Sequence, residues 1–231
     1  MSGGAAPDAG ARGGPFAGNR IPSGVVQRAS QMPTLTRCAP IVLLVSAGCV
    51  SVDPGSAEAV AFDELRPADG WVLVGDLPAV LQESEDDCGA AALSIVLARW
   101  GLDVPPATLR RECAVPGVAG LRAADLRDAA RRRGLSAFLV AGDVSDLDHE
   151  LRRGRPVVVA LVKTFASLRV AHFEVVVGLR EPSQIAALDP ARGLVCDALP
   201  AFTAEWAATD GAMLVVFRPE TEPQPAARTG P

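Results

Sequence analysis

Gln82-Glu83-Ser84-Glu85-Asp86-Asp87-Cys88-Gly89-Ala90-Ala91-Ala92-Leu93 is the stretch on which the reading of this chain turns. A cysteine followed by the smallest residue opens segment 87–100, which is apolar on most sides and stops at Gly101. That pattern predicts a buried helix. A helix start offers unpaired N–H groups and the positive end of the peptide dipoles, and both favour a thiolate over a thiol. The thiolate is the nucleophilic form, so Cys88 is a candidate catalytic nucleophile. Glu85, Asp86 and Asp87 work against it by adding negative charge, and a cationic partner is needed to hold the thiolate.

Only two histidines exist in the chain, His149 and His172. His149 lies in the polar stretch 146–150 and reads as solvated. His172 opens an apolar strand, His-Phe-Glu-Val-Val-Val, where an imidazole can project from a strand end into a cleft. Seventeen residues on, Asp189 closes the next apolar run and is followed by Pro190, which halts a strand ladder. A carboxylate there can accept the second ring N–H and fix the tautomer. Gln82, six residues before the cysteine, can donate its amide to a developing oxyanion beside the Cys88 N–H. Together these are the nucleophile, base, orienter and oxyanion donor of a cysteine hydrolase.

Outward from this motif the chain divides by period. Segments 106–113, 123–133 and 144–153 carry apolar residues at helical spacing, and 156–162, 172–179, 185–189 and 213–217 are β-branched or apolar runs bounded by Gly, Pro or polar residues. A first edge element falls around Trp71–Val74. Helices first and strands afterwards predict an α+β domain, not a βαβ wind. The 231 residues, 49% hydrophobic and 21% charged, suffice for a sizeable core. The net charge of -5 argues against a nucleic-acid partner. There is no GxGxxG and no Walker A, and the single lysine, Lys163, follows no glycine-rich loop. Cys113 and Cys196 have no metal-ligand spacing, and the chemistry expected calls for no cofactor.

Gln82, Asp87-Cys88-Gly89, Ala92-Leu93 and Trp100-Gly101 resemble the nucleophile motif of the bacteriocin-processing peptidase domains, which are papain-like cysteine peptidases that cleave double-glycine leader peptides. His172-Phe173 and Asp189-Pro190 resemble that family's histidine and aspartate motifs in the same chain order, and 124–135, ending Arg-Gly-Leu, is similar to the helix between them. The likeness covers roughly 78–217. It implies a papain-like fold, with the nucleophile on the first buried helix packed on a C-terminal antiparallel sheet, and a peptide substrate. In the best-known members the domain begins an ABC exporter, so an exporter encoded separately is an expected partner. One departure stands out: Glu174 occupies a position where the family commonly has an apolar residue.

The front of the chain has a different character. Residues 1–31 are rich in Gly, Ala, Pro and Ser and read as disordered, or as a misassigned start before Met32. Arg37, the apolar run 39–45 and Ser46-Ala47-Gly48-Cys49 have the layout of a secretory signal over 32–48. The last four residues resemble a lipobox, with Ser46 where Leu is usual, and imply a diacylated Cys49. A buried apolar strand is the other reading of this run. A lipid-anchored protein in the bacterial cell envelope follows from the first, with 49–76 as tether and edge element, a peptidase domain over 77–218 and a disordered tail at 219–231. Three cysteines then remain in an oxidising compartment, which suggests one pair and one free thiol. Cys113–Cys196 is the expected pair, although spacing alone does not fix connectivity.

The function expected is therefore a membrane-anchored cysteine endopeptidase using Cys88, His172, Asp189 and Gln82. A non-catalytic peptide-binding lipoprotein of an export system is the alternative, and an acyltransferase or amidase with the same residues is a weaker third.

Overall fold

The computed structural model describes residues 57–75, 77–165 and 168–219. The signal and lipobox motifs, Cys49, residues 1–31 and the tail from 220 fall outside them. Thirteen helices and strands follow one another: β1 (Glu58–Ala59), β2 (Val72–Leu73), α1 (Cys88–Arg99), α2 (Pro106–Cys113), α3 (Ala123–Arg132), β3 (Ser136–Ala141), α4 (Val144–Arg152), β4 (Val157–Phe165), β5 (Leu168–Arg180), β6 (Gln184–Asp189), β7 (Gly193–Ala198), α5 (Leu199–Ala207) and β8 (Ala212–Phe217). The strands form a single antiparallel sheet in the order β1-β7-β6-β5-β4-β8-β3, and β2 pairs with β5 off this path.

α1 explains why its sequence is apolar nearly all round. Every residue from Cys88 to Leu97 is buried, because the helix is covered by β5 and β4 of the sheet and by α2 and α3. A helix enclosed on all sides has no polar face to show. Ser94, the one hydroxyl in that run, donates to the Val104 carbonyl at 2.7 Å and so meets the need of a buried polar group. Gly101, at φ +75°, ends the helix in a conformation that side chains resist. The Trp100 indole then donates to the Val216 carbonyl at 3.1 Å and ties the helix end to β8.

The α+β architecture stands, but the strict helices-then-strands order does not. β3 lies between α3 and α4, and α5 between β7 and β8. β3 is an outer strand paired only with β8, and its Phe138 and Val140 remain exposed, so its apolar residues mark no single face. α5 opens with Leu199-Pro200, which reads as a break in sequence; proline at the first turn costs a helix nothing. The element near Trp71 is β2. β2 pairs with β5 alone, on the edge opposite β6, where the pairing of β5 with β4 has ended.

The disulfide expectation is overturned. Cys113 and Cys196 are both free and buried. The first ends α2, which packs on α1 and α3, while the second sits in β7 between β6 and β1. Burial pushes both thiols up, the opposite of activation.

Candidate active site

The site forms where one strand ends and its neighbour continues. β6 pairs with β5 only from Val175↔Leu188 to Arg180↔Gln184, so β5 runs on from Glu174 back to Leu168 without that partner. On its other side this stretch pairs with β4, through Leu161↔His172 and Lys163↔Val170. His172 is therefore the fifth residue of its strand and not the first. The strand extends beyond the run expected from the sequence because Arg169 and Ala171 pair with Thr164 and Val162 of β4.

Alternation along β5 sends neighbouring side chains to opposite faces. Phe173 turns to α1: a Cβ placed on Gly89 would lie 3.2 Å from its ring, 3.3 Å from Leu126 and 3.4 Å from Leu121. The glycine after Cys88 is what lets the start of α1 come this close to the strand. On the other parity stand His172 and Glu174. The His172 Nε2–H donates to Asp189 Oδ1 at 2.7 Å, and the Ala191 backbone N–H donates to the same oxygen at 2.8 Å. Cys88, at the first turn of α1 and 8% exposed, lies close enough to the imidazole to raise its pKa. With Nε2 committed to Asp189, Nδ1 is the nitrogen left to face the thiol.

The charges are consistent with this arrangement. Burial alone would depress His172, but the hydrogen bonds to Asp189 and Cys88 and the negative charge of both push it up to about 10. Burial would raise Asp189, yet the bond from His172, its charge and the Ala191 N–H hold the carboxyl below the usual range. Both shifts favour an imidazolium paired with the Asp189 carboxylate.

Beside these groups opens a cleft of about 360 Å³, whose lining includes Gln82, Glu85, His172 and Asp189, with the exposed apolar side chains of Leu168 and Val170 on the β5 wall. Gln82 is held by its backbone, its side-chain Oε1 without a hydrogen-bond partner.

The Peptidase C39 family profile matches residues 76–221. The chain belongs to the peptidase C39 family. Its structure is similar to that of the peptidase domain of Streptococcus ComA, described as a bi-functional ABC transporter involved in a quorum sensing pathway: 25% identity and TM-score 0.51, over 62% of this chain and 97% of that one. A C39-like peptidase from Bacillus anthracis superposes with TM-score 0.52 at 16% identity, over 64% of this chain and 98% of the other, and supports the fold alone. No curated protein matches the chain. The papain-like fold expected from the motifs is thereby shown.

As a C39 member the chain adds features that its sequence did not disclose. The acidic run before Cys88 is disarmed at its nearest point: the Asp87 carboxylate, 5% exposed, meets Arg110 of α2 at 2.8 Å and accepts from the Ser84 hydroxyl at 2.8 Å. Glu85 and Asp86 are exposed to water. Arg110 drew no attention in the sequence, where it is one of many arginines on helix surfaces. Lys163 and Glu174 are buried, 7% and 2% exposed, and the lysine Nζ lies 2.9 Å from Glu174 and 2.7 Å from Glu205 of α5. The available signal was an ionisable residue interrupting each of two apolar strands. His149 is exposed, as read, and its Nε2 lies 3.2 Å from the Arg153 guanidinium.

Among the described residues, His172, Glu174 and Asp189 are the only cluster whose potential metal-ligand atoms come together, all within 4.8 Å of one another. The bond between His172 and Asp189 and the ion pair of Glu174 with Lys163 already engage these atoms. Among the described residues no helix is long and apolar enough to cross a membrane.

Proposed function

We propose that this C39-family chain is a cysteine endopeptidase in which Cys88 is the nucleophile, His172 the acid–base, Asp189 its orienter and Gln82 an oxyanion donor. The observation that carries it is the 2.7 Å bond from His172 to Asp189, with Cys88 on the other side of the imidazole at a helix start. The Cys88 thiolate attacks the scissile carbonyl carbon, forming a C–S bond while the carbonyl electron pair moves to oxygen. The Cys88 N–H and the Gln82 amide face that oxygen. The His172 imidazolium gives its proton to the leaving nitrogen, the C–N bond breaks, and a thioester remains. His172 then takes a proton from water, whose oxygen attacks the thioester; the thiolate leaves and the imidazolium is restored.

The substrate class is a peptide lying extended in the cleft, and an ABC-type exporter is the partner in keeping with the ComA likeness. Envelope anchoring rests on the lipobox-like Ser46-Ala47-Gly48-Cys49; Cys49→Ser should move the protein from the detergent phase to the aqueous phase.

The deciding experiment is labelling with a cysteine-directed peptidyl electrophile followed by peptide mass mapping. Fast modification of Cys88 that is lost in His172→Ala supports the reading, as does loss of peptide hydrolysis in a folded Cys88→Ala. Slow, His172-independent labelling would favour a peptide-binding accessory instead.

A further inference from the structure

Glu174 presents an electrostatic problem. Its carboxylate and that of Asp189 both lie within 4.8 Å of the other and of the His172 ring. Two carboxylates this close, out of water, tend to share one proton, and the protonated member becomes a donor to the other. A proton shared between Glu174 and Asp189 would occupy the lone pairs through which Asp189 holds His172. Burial and the charge of Asp189 both push Glu174 toward that protonated state, and the opposing influence comes first from Lys163.

Lys163 is the chain's single lysine and comes from β4, next to the strand that carries Glu174 and His172. Its Nζ contacts Glu174 at 2.9 Å, and Glu205, partly exposed on α5, completes its shell at 2.7 Å. A buried ion triad is a poor source of net stability, since apolar side chains of similar volume fill the same space without desolvation cost. Its effect is better sought in what it does to the neighbouring pair.

We propose that Lys163 is a positioning residue for the His172–Asp189 pair: its ammonium holds Glu174 in an ion pair, so that Asp189 accepts from His172 and not from a protonated Glu174. The inference rests on the peptidase reading only for its effect on turnover. The groups facing the imidazole are Cys88 from α1, Asp189 from β6 and Glu174 from β5, with Lys163 of β4 behind Glu174 and Glu85 and Arg192 around the cleft.

The test compares the wild-type full chain with Lys163→Met and with the double variant Lys163→Met/Glu174→Leu. Two readouts are needed, the pH profile of kcat/KM and the downfield proton resonance of His172 Nε2–H. With two histidines in the chain, one of them exposed, that resonance is readily assigned. In Lys163→Met the acid limb should move up by about one pH unit or more, and the Nε2–H resonance should be lost at neutral pH and return as pH rises. The double variant, with no competing carboxylate, should recover both the wild-type profile and the resonance. An unshifted profile with the resonance intact in Lys163→Met overturns the proposal. So does a double variant as impaired as the single one. Should Lys163→Met fail to fold, the double variant decides alone: loss of the resonance there would show that Lys163 acts otherwise. If the wild-type chain hydrolyses nothing, the peptidase reading fails, while the resonance still decides the role of Lys163.

Discussion

The Gln82 backbone N–H donates to the Pro190 carbonyl at 2.8 Å, which joins the loop before Cys88 to the residue after Asp189. Gln82, the proposed oxyanion donor, and the segment that follows Asp189 thus share a main-chain link, and the position of Gln82 does not depend on its side chain. Gln82→Ala should therefore remove a carboxamide and nothing else. We expect kcat/KM to fall by roughly 10²–10³-fold while the rate of Cys88 alkylation by iodoacetamide stays unchanged. A parallel loss of alkylation would show that the side chain also shapes the nucleophile.

The pH dependence follows from the sign of the His172 shift. Its folded-state value is raised from 6.5 to about 10. The stability this contributes is fully present below the unfolded value and is lost as pH rises through about 10. Hydrolysis needs the imidazolium proton for the leaving nitrogen, so it should decline as pH rises through about 10. Alkylation by a haloacetamide needs only the thiolate and should persist. Identical alkaline limbs for the two reactions would contradict this assignment.

Asp189 Oδ1 accepts from both His172 and Ala191. Asp189→Ala removes both bonds and should cut kcat/KM by roughly 10²–10⁴-fold. Asp189→Asn offers an amide oxygen to the same two donors and should fall between this variant and the wild type. An Asn variant as weak as the Ala variant would show that charge, not the hydrogen bond, is what His172 requires.

Gly89→Ala forces a methyl against Phe173, Leu126 and Leu121 at 3.2–3.4 Å. The expected cost is about 1–3 kcal/mol, read as a lowered midpoint in denaturant. Because Phe173 adjoins His172, activity should fall at temperatures where the variant is still folded. A variant as active and stable as the parent would mean that α1 has room to shift.

Arg110→Ala leaves the buried Asp87 carboxylate with Ser84 as its remaining side-chain partner. Loss of about 1–3 kcal/mol is expected, together with slower alkylation of Cys88 at neutral pH, since an uncompensated anion then precedes the thiol. Unchanged alkylation would place the Arg110 effect in stability alone.

Much of this was legible in the residues. Cys88 at a helix start, His172 and Asp189 on adjacent strands and the α+β class follow from local period and from motif order, both of which are short-range information. What escaped notice depends on partners distant in sequence. β3 and α5 are shaped by their packing rather than by a clean apolar period, and β5 continues through Arg169 because the β4 register carries it. The Asp87–Arg110 and Lys163–Glu205 contacts join residues 23 and 42 positions apart in the sequence. No spacing rule brings such pairs together. The disulfide expectation failed for the same reason: counting cysteines does not reveal that Cys113 and Cys196 belong to different packing neighbourhoods.

The close approach of α1 to β5 at Gly89 also makes the thiol's environment a property of the assembled molecule. Cys88 belongs to the helical layer, while His172 and Asp189 belong to the sheet, so the imidazole reaches the sulfur only once the two layers have docked. An unfolded chain carries an ordinary cysteine. On the proposed mechanism, the rate at which Cys88 reacts reports how much of the population has completed its tertiary assembly, and a mutation that loosens that docking should be read at the sulfur before any strand or helix is lost.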